Sequence, residues 1–237
     1  MSLKREAMNL ALRVLKTGIR VFGRSRSALI SAQVAEELTP IISQKTEFGT
    51  ISFFSPGKTP EYRARTLLTK EPETIEWINS FSDSDVLWDI GANVGVYSLY
   101  AALRKLTVVS FEPSAGNYYL LSRNIEINRM DDRVSAICIA FNDTTRLDAF
   151  YMVHTNLGGA GNSFGEAIDW QGRPYTASLK QAMIGFSIDD FVRQFNPPFP
   201  NHIKIDVDGN EGRIIKGAKS TLSDTRVKSV LVELNPQ

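Results

Sequence analysis

One cysteine, two histidines and no long apolar stretch are found in 237 residues, and these shortages narrow the field. A single thiol, Cys138, forms no intrachain disulfide, so a disulfide-stapled scaffold is excluded and a reducing compartment suits the chain. It sits inside Ile137-Cys138-Ile139, where burial is the expected environment. No segment approaches the roughly 18 consecutive apolar residues of a membrane span, and no apolar core of a secretory signal opens the chain. Excess charge is lacking too: 27 basic residues face 26 acidic ones. Beyond residue 30 the balance is acidic and no basic-aromatic stripe occurs, which makes nucleic acid a poor partner. The sequence also lacks G-x-G-x-x-G, and this argues against the alternative of an NAD-dependent oxidoreductase.

What the chain does carry is a strand-to-helix turn. The apolar run Val86-Leu87-Trp88-Asp89-Ile90 breaks at Asp89, Gly91 and Gly95 before amphipathic sequence resumes. Gly91 permits a tight turn and close backbone approach, Gly95 lets the new helix pack against the sheet, and the helix N-terminus leaves N–H donors free. Ala92-Asn93-Val94 separate the glycines, so the spacing is D-x-G-x-x-x-G. A carboxylate before the first glycine repels a pyrophosphate and attracts a cation, and S-adenosylmethionine carries both a sulfonium and an ammonium. Seventeen residues after Gly95, Thr107-Val108-Val109-Ser110-Phe111 ends in Glu112, placed to accept hydrogen bonds from ribose hydroxyls. Asp89, Gly91, Ala92, Asn93, Gly95, Glu112 and the adjoining Pro113 are therefore the expected cofactor-binding residues.

Residues 1–30 hold seven Lys/Arg against one Glu. Met8, Leu12, Leu15, Ile19 and Phe22 recur at helical spacing, beside a second stripe of Arg13, Lys16, Arg20 and Arg24. The pattern predicts a basic amphipathic helix over 1–30. It either meets an anionic membrane surface through residues 3–24 or packs on its own protein, and its composition also resembles an organelle transit peptide. The expected location is cytoplasmic, with peripheral contact on the inner membrane surface. Residues 31–70 read as a lead-in or cap around one strand candidate, 50–54, and Glu71-Pro72-Glu73 opens a helix.

From Asp85 onward, predicted strands at 86–90, 107–112, 134–140, 203–207 and 227–234 alternate with helices near 94–104, 115–128, 188–195 and 211–222. Such alternation gives an α/β fold with a doubly wound, mostly parallel sheet and an N-terminal helical extension. Ser187 and Asp190 suit a capping box, with Phe186 and Phe191 as its hydrophobic staple, and by the same spacing Asp208 and Glu211 can cap the helix after the fourth strand. Residues 141–185 are too long for a connection. They form an insertion with a strand over 146–153 and a glycine-rich stretch, 156–165, that reads as a mobile lid.

These residues resemble the FkbM family of S-adenosylmethionine-dependent methyltransferases. The likeness lies in Asp89-Ile90-Gly91-Ala92-Asn93-Val94-Gly95, Phe111-Glu112-Pro113, Asn124 through Asn128, Ser229-Val230-Leu231-Val232-Glu233-Leu234 and, above all, Ile203-Lys204-Ile205-Asp206-Val207-Asp208-Gly209-Asn210-Glu211 followed by Lys216-Gly217-Ala218. It covers about residues 70–235, giving a domain over 71–237. The resemblance implies a class I, Rossmann-like methyltransferase that methylates a hydroxyl, often on a sugar or polyketide-derived molecule. A glycan or glycolipid acceptor agrees best with the basic amphipathic start. Methyltransferases of this fold normally continue into another helix and an antiparallel hairpin, whereas the sequence ends at Gln237, just past the fifth strand. A sheet lacking that hairpin is expected, and with it the competing reading of a fragment or an inactive binding protein.

Removing a proton from an alcohol, whose pKa lies near that of water at roughly 15, needs a base in the transition state. Asp206, at the carboxyl end of the fourth strand, is the first candidate, and His154 in the insertion the second. Strand alternation puts Lys204 on the same face as Asp206, to orient it, bind the acceptor or form an ion pair, while Ile203, Ile205 and Val207 point the other way. His202 precedes the strand and reads as structural. Asp206, Asp208 and Glu233 can ligate Mg²⁺, but the metal-free arrangement is preferred. Tyr97, Trp170 and Tyr175 are candidates to stack on a sugar ring.

Overall fold

The computed structural model describes residues 3–234, and the chain divides into two compact units, one ending at Pro40 and the other beginning at Ile41. The first holds α1 (Leu3–Arg20) and α2 (Arg24–Leu38). Instead of one helix over 1–30, the chain turns at Gly23, whose φ of +79° suits a residue without Cβ. Ser27 Oγ then donates to the Ile19 carbonyl at 2.8 Å. No side chain of α2 is buried, and Met8, Leu12, Leu15 and Phe22 are exposed. No helix among the described residues is long and apolar enough to cross a membrane.

The second unit opens with a hairpin, β1 (Ile41–Thr46) and β2 (Gly49–Phe54), followed by α3 (Lys58–Arg65) and α4 (Pro72–Asn79). Alternating elements follow: β3 (Val86–Ile90), α5 (Val96–Leu103), β4 (Thr107–Phe111), α6 (Ala115–Asn128) and β5 (Val134–Ile137). Next come β6 (Ala140–Phe141), β7 (Arg146–Met152), β8 (Ser163–Phe164) and β9 (Leu179–Phe186), then α7 (Ile188–Phe195), β10 (His202–Ile205), α8 (Glu211–Lys216), α9 (Lys219–Leu222) and β11 (Ser229–Val232). The main sheet is parallel throughout, in the order β11-β10-β3-β4-β5. Winding thus reverses between β3 and β10. Ligands of open α/β sheets bind at such a reversal, outside the carboxyl ends of the strands.

Both faces of the sheet are covered, as parallel sheets require. Trp88, Ile90, Val109, Phe111, Ile203 and Ile205 pack on one side with Phe141, Phe191 and Ile214. Phe111 and Phe141 meet edge to face with centroids 4.6 Å apart, and Trp88 stacks on Phe141. Leu87 and Val108 face the other side with Leu99, Leu120 and Leu121.

Of the lead-in, residues 41–70 are part of this body, whereas 31–38 belong to α2 of the first unit. Asn124 and Asn128 of α6 accept from the Phe54 and Ser52 amides at 2.7 and 2.9 Å, and Asn128 Nδ2 returns a bond to the Ser52 carbonyl. Those two asparagines therefore satisfy backbone groups of β2 that the hairpin leaves open. The predicted strand over 134–140 ends at Ile137, because Ala140–Phe141 leaves the main sheet to pair with β9. The insertion builds a second sheet, β6-β9-β7-β8, over a small core of Phe150, Met152, Phe164 and Met183. Cys138 packs at its edge, half-buried, its thiol directed at the Pro113 carbonyl. The last predicted helix, 211–222, is broken at Gly217, where a Cβ would lie 2.2 Å from the Asn142 carbonyl oxygen.

Candidate active site at the carboxyl edge of the sheet

A cleft opens where β3, β4, β10 and β11 end. Gly91 and Asn93, Glu112 and Pro113, Asp206 to Asp208, and Glu233 line it from successive strands, and a smaller inner cavity continues to Asp89, Tyr97 and Lys204. Register explains the inner cavity: Lys204, Asp89 and Ser110 are direct neighbours across β10, β3 and β4, on the face that α5 covers. Asp89 is fully buried and accepts from Ser98 Oγ at 2.5 Å, while Ser110 donates to Ser98 at 2.8 Å. Its other oxygen, Oδ1, is buried without a partner. Burial raises the Asp89 pKa against the opposing pull of Lys204.

Lys204 is 1% exposed and donates to Asp206 Oδ2 at 2.6 Å, with its ammonium 5.1 Å from the centre of the Tyr97 ring. A buried ammonium survives only among acids, and desolvation of Lys204 is outweighed by Asp206 and Asp89, so its pKa rises. For Asp206 burial pushes upward, yet Lys204 prevails and the carboxyl stays below its usual range. Glu233 is the reverse case. Burial and the Asp206 charge lift it to about 7, and its protonated form donates to Asp206.

One oxygen each of Glu71, Asp206 and Glu233 lies within 4.8 Å of the others. Lys70 pairs with Glu71 as Lys204 does with Asp206, so two ammoniums already serve the cluster. Asp208 stands apart from it. Its backbone is left-handed, with φ +57°, and its carboxylate accepts from the Gly161 amide at 2.6 Å rather than capping α8, whose N-cap position is Asn210.

Glu112 anchors the loop between β3 and α5. It is 4% exposed and accepts from the Asn93 and Ser114 amides, each at 2.8 Å, while burial lifts its pKa to about 7. Each oxygen retains accepting capacity toward the cleft. Asn93, left-handed at φ +52°, sends Nδ2 to the Gly159 carbonyl at 2.9 Å. Gly91 is required by its own neighbours: a Cβ there would lie 1.9 Å from the Asp206 carbonyl oxygen. A Cβ on Gly95 would strike Leu121 at 2.5 Å, so that glycine admits α6 rather than the sheet.

The glycine-rich stretch lies over the cleft and is tied down. Asn117 grips Gly158 and Gly159 from α6, Arg63 Nε donates to the Gly158 carbonyl at 2.7 Å, and Gly159, Ala160, Asn162 and Phe164 join the lining.

The family model described as the methyltransferase FkbM domain matches residues 89–237. The chain belongs to the FkbM methyltransferase family. Hexuronic acid methyltransferase AglP of Haloferax volcanii is 26% identical over 182 residues, which cover 73% of this chain and 66% of that protein. The chain thus spans just under two thirds of that relative's length. Partial likenesses extend to two solved precorrin-6Y C5,15-methyltransferases. The one from Geobacter metallireducens is 13% identical, with a TM-score of 0.41 over 71% of this chain and 64% of that one. The C-terminal domain of the one from Rhodobacter capsulatus is 16% identical, with a TM-score of 0.32 over 65% and 52%.

Within this FkbM domain, the predicted cofactor residues Gly91, Asn93, Glu112 and Pro113 line the main cleft, Asp89 and Ala92 line the inner cavity, and Gly95 packs behind them. Pro113 is held through its carbonyl, which accepts from Gln181 Nε2 at 2.8 Å. Asp206 and Lys204 meet as strand alternation predicts, whereas His154 lies under Gly159 and is not among the lining residues. His202 stacks on Phe81 and bridges Asp85 and Ser229, a purely structural setting. Tyr97 is buried under Lys204, Tyr175 donates to the Tyr151 carbonyl, and Trp170 is exposed. Sequence reasoning missed Arg63, Lys70 and Glu71. They precede the recognisable motifs, and only the fold of the lead-in brings them to the cleft.

Proposed function

We propose that this chain is an S-adenosylmethionine-dependent O-methyltransferase whose acceptor is a sugar hydroxyl, on a glycan or glycolipid precursor. The observation that carries the reading is the pair of acids at the switch point: Asp89 with an unpartnered buried oxygen in the inner cavity, and Glu112 with accepting capacity in the main cleft. Those positions fit a cationic methionyl group at Asp89 and ribose hydroxyls at Glu112. The relative named for hexuronic acid supports a sugar acceptor. When bound, S-adenosylmethionine supplies an activated methyl group and needs no further activation from the protein.

The chain's own task is to position the acceptor and take its proton. Lys204 keeps Asp206 ionised, and Glu233 shares a proton with it, so the two carboxyls act as one coupled acceptor between strands β10 and β11. The lysines of the cluster make a bound cation unnecessary, and chelation by EDTA is expected to leave turnover unchanged. The loop over 158–164 contributes Gly159, Ala160, Asn162 and Phe164 to the wall of the cleft that holds the acceptor.

Titration calorimetry with S-adenosylhomocysteine and with NAD, followed by transfer of labelled methyl to a panel of hexoses and uronic acids, tests the reading. Binding of the first ligand and label on a sugar are expected, with Asp206→Asn lowering turnover by roughly 10²–10⁴ at nearly unchanged cofactor affinity. Binding of NAD alone would overturn it.

A further inference from the structure

The guanidinium of Arg63 stands out in the cleft as a cation not consumed by an acid. It lines both the main cleft and the inner cavity, at their junction with Gly91, Asn93 and Asp206. Its Nε is fixed on the Gly158 carbonyl at 2.7 Å, which sets the direction of the planar group. Among the described residues no carboxylate lies within salt-bridge distance of it, in contrast to Lys70 and Lys204 beside it. Its charge is nevertheless felt across the cleft, where it opposes the burial-driven rise of both Glu112 and Asp208. A half-buried guanidinium that lines a cavity and has only Nε engaged keeps its two terminal nitrogens for a ligand, a fork suited to two oxygens of one anion.

We propose that Arg63 is a carboxylate-binding residue and that the inner cavity receives the charged end of a ligand. Asp89, with its unpartnered Oδ1, and Glu71 line the same cavity. Acids and an arginine that line one small cavity match a zwitterion, with the ammonium toward Asp89 and the carboxylate toward Arg63. The inference rests on the reading of an S-adenosylmethionine site given above. The same chemistry has a second source, the carboxylate of a uronic acid acceptor in the main cleft.

Affinities of the wild type, Arg63→Ala and Arg63→Lys for S-adenosylhomocysteine, and for 5′-methylthioadenosine, which lacks the amino-acid carboxylate, separate the sources. If the cofactor's carboxylate is held, Arg63→Ala weakens S-adenosylhomocysteine by about 10- to 100-fold, the range for charge-assisted bonds, and leaves methylthioadenosine unchanged. Arg63→Lys, which keeps the charge and loses the fork, recovers part of the affinity. If the acceptor's carboxylate is held, cofactor affinities stay constant and KM rises for a uronic acid but not for a neutral hexose. Equal loss for both adenosyl ligands, or no change in any of these quantities in folded variants, overturns the assignment. A wild type that binds neither adenosyl ligand would instead refute the cofactor reading itself.

Discussion

Replacing Lys204 by methionine keeps the length of the side chain and removes its charge, at a position 1% exposed between Asp206 and Asp89. Breaking a buried ion pair by deleting one partner costs about 3–5 kcal/mol, because the remaining charge loses its compensation. Asp206 is left with burial, which favours its protonated form, opposed by the hydrogen bond from Glu233 and the charge of Lys70, which favour the ionised one. The sign of the pH dependence follows from this. In the wild type the folded Asp206 pKa lies below the unfolded value, so its stabilisation is present above that value and is lost as acid is added. In Lys204→Met the largest downward pull is gone and burial moves the folded value up, so less of that stabilisation remains at high pH while little changes in acid. The penalty should therefore be greater at pH 8 than at pH 5. Adding Asp206→Asn removes the uncompensated charge, so the double variant should be more stable than the sum of the two single losses by at least about 1 kcal/mol, within the range for contacting residues. Urea unfolding at both pH values, with unchanged m, is the measurement. A loss below about 1 kcal/mol, or strict additivity of the two substitutions, would refute the claim that the pair is buried and coupled.

Gly91→Ala places a Cβ 1.9 Å from the Asp206 carbonyl oxygen at a φ of +86°. It should destabilise the protein by more than the roughly 1–3 kcal/mol of a strained backbone alone, read as a lower urea midpoint, whereas Gly172→Ala, with open space around its Cβ, should cost less. Glu112 titrates at about 7 in the folded chain against an ordinary 4.5, so between those values the native state keeps a proton the unfolded chain has lost and stability falls with rising pH. Glu112→Gln should flatten that slope by about 1 kcal/mol per pH unit, measured by unfolding at pH 5, 6 and 7. The exposed stripe Met8, Leu12, Leu15 and Phe22, beside Arg13, Lys16 and Arg20, should sediment with anionic vesicles and be released by salt, each basic residue contributing on the order of 1 kcal/mol near the surface. Equal, salt-insensitive partitioning of the full chain and one lacking residues 1–24 would rule out membrane contact through this helix.

Local pattern determined more of this protein than its modest motifs suggest. The strand at 86–90 and the helices at 115–128 and 188–195 were legible to the residue, because glycines, an N-cap serine and apolar spacing act within a few residues of one another. The polar side of β10 was legible for the same reason: period-two alternation alone puts Lys204 and Asp206 together. Tertiary structure decided the rest. β9 contains Lys180, Gln181 and Gly185, which dilute its alternation, and it becomes a strand because β7 offers a partner over its whole length. His154 and Asp208 were candidates by residue type, and packing against Gly159 and Gly161 gave both to the loop. Arg63, Lys70 and Glu71 carry no motif, since what ties them to the site lies far away in sequence: Gly158 for Arg63, and Asp206 and Glu233 for Glu71, with which Lys70 pairs. A cleft at a switch point is assembled from strand ends that are distant along the chain, so its charges are set by topology and cannot be read from any one segment.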